Sequence, residues 1–288
     1  MKLFNIFIIS ILSIVLFTAC KKDEAATPAN ETGQMTLQFD NKVGNEELNL
    51  STAGATTYPY TAANGQTFNI TKMGYYISKV KLETADGEVY EDEMNVSANA
   101  AEVKGYYHRL ESNSSSQLIS LKNIPAGKYT KVTFTVGVDE EGVQEGAAGG
   151  VLDPAEGAWF WNWNAGYIGF AIEGASPNSN QKEVVGDGWK VYEKSFALHV
   201  GGWKDIAPAS GQTQKFVNNV KTITLGLDSP ITVSAKLKPK AHIVVDALKI
   251  LDGASIDFAT SYAIHAPALG KPLAEQLVNA FILHHVHQ

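Results

Sequence analysis

The sequence predicts an all-β protein, organised as a single β-sandwich domain with long loops and a short C-terminal helix. Many segments alternate apolar and polar residues with a period of two, as half-buried strands do. These segments recur every ten to fifteen residues or so and are separated by turns rich in glycine. No long segment repeats with the 3.6-residue period of a helix. Together these observations favour two packed sheets.

The predicted strands share this alternation and are bounded by turn residues. The dipeptide Asp86-Gly87 is typical of a tight hairpin turn between two of them. In order along the chain, the predicted strands are residues 35–39, 66–70, 75–82, 88–90, 118–121, 128–138, 167–172, 191–200, 221–227, 231–237 and 242–250.

One helix is predicted near the C-terminus, over residues 272–281. The segment begins at a proline, which suits the first turn of a helix, and it places Leu273 and Leu277 on one face. The two long loops are residues 139–154 and 201–214. Loops of this length in a compact sandwich are commonly functional.

The N-terminus predicts a bacterial lipoprotein signal peptide over residues 1–19. A short positive start precedes a nearly unbroken apolar run over residues 3–17. This run is shorter than the roughly 20 residues that a membrane-spanning helix needs, and it suits the hydrophobic part of a signal peptide. Small residues then lead into Cys20, the position at which bacterial lipoproteins are cleaved and acylated.

Cys20 is the only cysteine of the chain, so neither an intramolecular disulfide nor a cysteine-based metal site is expected. We therefore expect a lipid on Cys20 that anchors the protein to a membrane. Residues 20–33 are polar and predict a flexible tether, which leaves residues 34–288 for the sandwich domain. The expected location is the outer membrane, facing the periplasm or the cell surface.

The charge and motif content exclude several classes of function. The net charge is −7 and there is no basic stripe, so nucleic acid is not an expected partner. The sequence contains no hydrolase signature, no glycine-rich phosphate loop, and no nucleophile and base at a recognisable spacing. We therefore expect a protein that is not an enzyme.

The segment Trp159-Phe160-Trp161-Asn162-Trp163 holds three of the five tryptophans. In an extended chain the three indoles lie on one face. One interpretation is an aromatic strand of the core. The other is a binding surface, which is favoured by the flanking turn residues and by the need of three buried indole N–H groups for partners. Sugar stacking, metal shielding and a redox-active indole are the candidate roles.

His199 lies near the end of a predicted strand, just before Gly201-Gly202. A lone histidine in a strand is most often a hydrogen-bonded structural residue, and the alternative is a metal ligand. The glycines allow a sharp turn and a close approach of the backbone to a ligand.

His285 and His287 lie two residues apart at the C-terminus. In an extended chain both imidazoles project to the same face, where they can share one metal ion. Imidazole suits copper, zinc, iron and nickel. His284 points to the opposite face and is expected to take no part. The other histidines are expected to be structural: His108, His242 and His265.

Several of these motifs together resemble the MbnP-like copper-binding family. Three are the most specific: the W-x-W-N-x-G-Y pattern, the His-Val-Gly-Gly sequence and the closing His-x-His. The similar segments occur in order from about residue 35 to the C-terminus. They are residues 39–44, 75–78, 136–139, 150–157, 161–168, 173–174, 199–202 and 285–287.

The resemblance implies a lipid-anchored or periplasmic β-sandwich that binds copper. In the best-understood members, histidines and a tryptophan oxidised to kynurenine hold the copper, and a partner diheme peroxidase-like enzyme performs that oxidation. Carried onto this chain, His199 is the most natural ligand, and Trp161 or Trp163 is the oxidised residue, with Trp161 preferred. His285 and His287 match the terminal motif. If they share the site, they converge with His199 near one of these tryptophans.

Two hypotheses follow. The leading one is a non-catalytic copper-binding lipoprotein that takes up, stores or handles copper outside the cytoplasm. The second is a surface carbohydrate-binding module that uses Trp159, Trp161 and Trp163 as a stacking platform. The second requires the three indoles to be exposed in a line, whereas the first requires an indole beside His199.

Overall fold

The computed structural model describes residues 31–96, 103–145, 149–208, 210–211, 213 and 215–288. The predicted signal peptide, Cys20 and all but the last residues of the predicted tether lie outside these ranges. Within them, no helix is both long enough and apolar enough to cross a membrane.

The described residues form seventeen strands and three α-helices. The strands are Thr32–Val43 (β1), Glu46–Glu47 (β2), Tyr60–Thr61 (β3), Thr67–Thr84 (β4), Val89–Glu91 (β5), Tyr106–Leu110 (β6), Leu118–Pro125 (β7), Gly127–Val136 (β8), Phe160–Asn162 (β9), Gly166–Ala175 (β10), Val184–Gly186 (β11), Trp189–Val191 (β12), Ser195–Gly201 (β13), Lys221–Val233 (β14), Lys240–Asp246 (β15), Ala263–Ile264 (β16) and Phe281–His287 (β17). The helices are Glu140–Glu145 (α1), Ala247–Gly253 (α2) and Pro267–Ala280 (α3).

Two sheets form the body of the protein. The five-stranded sheet has the order β17-β15-β1-β2, and β7 pairs with the first part of β1. The ten-stranded sheet has the order β14-β8-β4-β10-β13-β16, with β3, β5 and β6 paired to β4 and β9 paired to β10. β11 and β12 form a separate hairpin. This arrangement confirms the predicted all-β sandwich.

The inner faces of the two sheets share one hydrophobic core. Phe39 of β1 contacts Phe134 of the opposite sheet, with ring centroids 5.7 Å apart. It also contacts Phe281 at 6.4 Å, at the start of β17. Along β1 every second side chain is buried, as expected for a strand with one face on a core. The remaining side chains of β1 therefore lie on an outer face.

A second, smaller hydrophobic cluster covers part of the outer face of the ten-stranded sheet. The described residues of the predicted loop 139–154 contribute Val143 and Leu152 to this cluster and include α1. The hydroxyl of Tyr76 donates to the carbonyl of Val151 at 3.2 Å, and that of Tyr167 donates to the carbonyl of Leu152 at 2.7 Å. These two hydrogen bonds hold residues 151 and 152 against the sheet, shortly before the tryptophan segment begins.

Two pairs of predicted strands prove to be continuous. Residues 67–70 and 75–82 both belong to β4, which leaves out only the first residue of the predicted strand 66–70. Residues 221–227 join the first part of 231–237 in β14. Shifts of register interrupt the pairing within both long strands. The breaks in alternation that suggested separate strands therefore mark irregularities inside one strand.

The structure corrects the prediction at two helices: α2 occupies residues predicted as the end of a strand, and α3 begins earlier than predicted. The predicted strand over residues 242–250 ends at Asp246, whose carboxylate accepts hydrogen bonds from the first turn of α2. The predicted short C-terminal helix is confirmed, but α3 starts at Pro267, which takes the first-turn position that the sequence assigned to Pro272. Pro272 lies inside the helix, and a strand, β17, follows it.

Candidate metal centre

His199 and His265 lie side by side on the outer face of the ten-stranded sheet. β13 and β16 run parallel, and Leu198 pairs with Ile264. Both of these side chains are buried, so the residue that follows each one, His199 on β13 and His265 just after β16, points outward. The same register therefore brings the two imidazoles together, with their Nδ1 atoms 3.1 Å apart.

Glu173 on β10 fixes the orientation of His199. The carboxylate lies diagonally across the strand pair, and its Oε1 is 3.0 Å from Nε2 of His199 and 3.1 Å from Nζ of Lys72. Burial raises the pKa of Glu173, but the hydrogen bond to His199 and the charge of Lys72 outweigh it and lower this pKa to about 2. The ionised carboxylate accepts the Nε2 proton, so Nδ1 of a neutral His199 carries a lone pair.

The pair of nitrogens suits a metal ion. Partial burial and the neighbouring His199 lower the pKa of His265, although Glu173 opposes this shift. The neutral imidazole is the form that binds metals. Metal–nitrogen bonds of about 2.0 Å place two ligands of one ion roughly 3–4 Å apart. A carboxylate on the far nitrogen is the usual partner of a metal-binding histidine.

Trp161 lies next to His199. Its ring centroid is 6.4 Å from that of His199. The indole packs on Gly201, where an added Cβ would lie 2.6 Å from Cζ3 of the ring. Behind it, Oδ1 of Asn162 accepts the backbone N–H groups of Asn164 and Ala165 at 3.0 and 2.9 Å and closes the turn into β10.

The other two tryptophans of the segment lie elsewhere. Trp159 packs over Gly74, and Nζ of Lys72 is 4.6 Å from the centroid of the indole. Trp163 is 59% exposed and contacts the ring of Phe160 at 5.2 Å. The predicted single face is lost because the chain turns at Trp163. A stacking platform of three aligned indoles therefore receives no support from this arrangement.

His285 and His287 do not join His199. They lie on the five-stranded sheet, where they form a group with His242. Nε2 of His285 and Nε2 of His287 are 3.0 Å apart. The structure therefore divides the three predicted histidine ligands between two places. His284, expected to take no part, is exposed with its Nδ1 2.8 Å from Nδ1 of His285.

His242 and His265 are structural residues in the sequence-based prediction, but the fold brings both beside the predicted ligands. Glu173 is a site residue that the sequence does not predict. His265 directly follows β16, a two-residue strand whose parallel partner lies 66 positions away along the chain. No local periodicity reports such a pairing. The only indication that His242 and His265 could be ligands was chemical, since both carry an imidazole in a chain predicted to bind metal.

Comparison with known proteins places the chain in a family. The sequence model of the MbnP family matches residues 32–266, a range that contains His199, His265 and Trp161. A search of curated proteins found no significant match. Among solved structures, MbnP from Methylosinus trichosporium is similar, with 17% identity and a TM-score of 0.47 over 77% of this chain and 78% of that chain. Because the family match spans most of the sequence, the chain belongs to the MbnP family, and this membership supports a copper-related function.

Proposed function

We propose that this protein is a non-catalytic, lipid-anchored copper-binding protein that handles or takes up copper outside the cytoplasm. His199 and His265 are its ligands. The observation that carries the proposal is the 3.1 Å separation of their Nδ1 atoms, with the other nitrogen of His199 held by an ionised carboxylate. Among divalent first-row metals, nitrogen ligands generally bind copper most tightly, and the described residues offer no thiol here.

Trp161 is the residue proposed for oxidation to kynurenine. Its indole lies beside His199, whereas Trp163 is exposed and contacts Phe160. Opening of the five-membered ring leaves an aromatic amine, a further nitrogen donor near the two imidazoles. A diheme peroxidase-like enzyme is the proposed maturation partner.

The membrane anchor at Cys20 is proposed from the sequence. Each buried methylene of an acyl chain contributes about 0.8 kcal/mol to membrane binding, so more than one chain on this residue holds the protein firmly. We expect Cys20→Ser to move the protein from the membrane fraction to the soluble fraction in its native host. A variant that stays in the membrane fraction would contradict the anchor.

The copper proposal is tested on protein purified from its native host. Metal analysis should show less copper per chain in His199→Ala and in His265→Ala. The exposed Glu88→Gln is the control and should keep the wild-type copper content. Mass spectrometry of the peptide containing Trp161 should show the loss of one carbon and the gain of one oxygen. Unchanged copper in both ligand variants would refute the assignment of these histidines.

A further inference from the structure

The C-terminal histidines form a group of their own on the outer face of the five-stranded sheet. One nitrogen from each of His242, His285 and His287 lies within 4.8 Å of the other two. The rings of His242 and His285 are stacked, with centroids 4.2 Å apart, and that of His287 meets His242 edge-on at 5.1 Å. β15 and β17 supply these residues, and neither strand belongs to the sheet that carries His199.

A β-bulge explains why both terminal histidines point outward. Phe281 is buried at the start of β17, and uninterrupted alternation would turn His285 and His287 to that same inner side. The register shifts so that Leu283 pairs with Ile243 while His285 pairs with His242, which leaves His284 as the extra residue. The alternation restarts after it. His285 and His287 therefore share the outer face with His242.

Asp40 orients this group as Glu173 orients His199. Oδ2 of Asp40, on the neighbouring strand β1, is 3.0 Å from Nδ1 of His242. When the carboxylate accepts the Nδ1 proton, Nε2 of His242 keeps its lone pair. Within the described ranges, a carboxylate thus supports a candidate metal-binding imidazole on each of the two sheets.

We propose that His242, His285 and His287 form a second metal site, separate from the His199–His265 centre, that binds a divalent transition-metal ion with Cu²⁺ preferred over Zn²⁺. Three imidazoles with no thiol suit either ion, and the general order of affinities favours copper. The inference rests on this group alone and does not require the proposed function of the first centre.

The second site is built for easier exchange of its ion. Each centre has one largely buried histidine, His199 with a side chain 13% exposed and His242 with one 15% exposed. The first centre adds one exposed ligand, His265, and has Trp161 beside it, whereas the second adds two exposed ligands on β17, an edge strand of its sheet. Ligand nitrogens up to 4.8 Å apart are wider than the roughly 3–4 Å that one ion allows. The exposed side chains must therefore close around the ion, and can reopen to release it.

The test uses the full-length protein in detergent, stripped of metal and then equilibrated with copper sulfate or zinc sulfate. The double variant His199→Ala/His265→Ala isolates the second site, and His285→Ala/His287→Ala isolates the first. Lys240→Ala is the matched control, because Lys240 lies on the same outer face and pairs with His287. Circular dichroism of the metal-free proteins checks that each is folded.

We expect the His199→Ala/His265→Ala variant to keep one Cu²⁺ per chain. Adding His285→Ala and His287→Ala to this variant should remove that ion. A chelator should withdraw this ion faster than the ion of the first site, and the control should match the wild type. Absence of copper from the folded variant that lacks the first site would overturn the second site and leave the proposed function standing. Copper lost only with His285 and His287 would support the second site and refute the first.

Discussion

At the scale of single residues, the proposed first centre requires Glu173 as well as the two histidines. An ionised carboxylate on Nε2 of His199 selects the tautomer that presents Nδ1 to His265. Its low pKa persists despite burial because Lys72 and His199 both stabilise the negative charge. Glu173 is therefore a positioning residue that acts through His199.

Glu173→Gln keeps the shape of the side chain and removes its charge. We expect copper to bind the first centre about 10- to 100-fold more weakly, the usual effect of losing such a partner. Competition titration against a chromophoric chelator measures this change, best in the His285→Ala/His287→Ala background. The exposed Glu88→Gln is the control, and equal affinity in the two variants would show that Glu173 does not support the site.

Gly201→Ala tests the packing of the Trp161 indole against Gly201. An added Cβ would lie 2.6 Å from the indole and 2.7 Å from the carbonyl oxygen of Tyr167, so the ring must move. Overpacking of this kind typically costs about 1–3 kcal/mol of stability. We expect altered near-ultraviolet circular dichroism and weaker copper binding. Gly226→Ala is the control, because nothing lies within 4 Å of its Cβ, and an unchanged spectrum for Gly201→Ala would contradict the packing.

His108 gives a pH dependence that can be isolated. Burial, with the positive charges of Arg109 and Lys72, lowers the pKa of His108 to about 4. In the unfolded chain His108 is protonated below about pH 6.5, whereas in the folded chain it stays neutral until about pH 4. Lowering the pH from 7 to 4 therefore lowers the free energy of unfolding by up to about 3 kcal/mol. His108→Phe should remove this contribution to the loss of stability in acid.

Urea denaturation of the metal-free protein at pH 7 and at pH 4 measures the loss of stability. The loss should be smaller for His108→Phe than for the wild type by that amount, since the phenyl ring can still stack on Tyr76. An identical loss in both proteins would mean that His108 titrates normally in the folded state.

At the scale of elements, the features that depend on one strand alone were predictable from the sequence. The features that depend on how strands pair were not. That His285 and His287 share a face follows from the period of two. The face of the sheet that they occupy depends on the bulge at His284, and the alternation of the sequence does not predict this bulge. His265 reaches His199 through a parallel pairing between distant segments, which the local pattern around either residue does not contain.

Helix α3 offers a test of its observed boundary. Pro272 is exposed and lies inside the helix, where it cannot donate a hydrogen bond to the carbonyl of Ala268. We expect Pro272→Ala to raise the free energy of unfolding by about 2 kcal/mol, the helical gain less the entropy returned to the unfolded chain. Chemical denaturation measures this, with the exposed Leu269→Ala as control. A destabilised Pro272→Ala would indicate that the helix begins at Pro272.

At the scale of the whole molecule, the sandwich buries its aromatic core between the sheets and carries one histidine group on the outer face of each. The sandwich and the family motifs were predictable because alternation and W-x-W-N-x-G-Y are local. The separation of His199 from His285 and His287 was not, since it depends on which sheet each strand joins.

Anomalous diffraction at the copper edge, from crystals of the copper-loaded protein, locates the bound ion directly. We expect a copper peak about 2 Å from Nδ1 of both His199 and His265, beside the side chain of residue 161. Copper found only at other positions, with no peak between these two nitrogens, would contradict it.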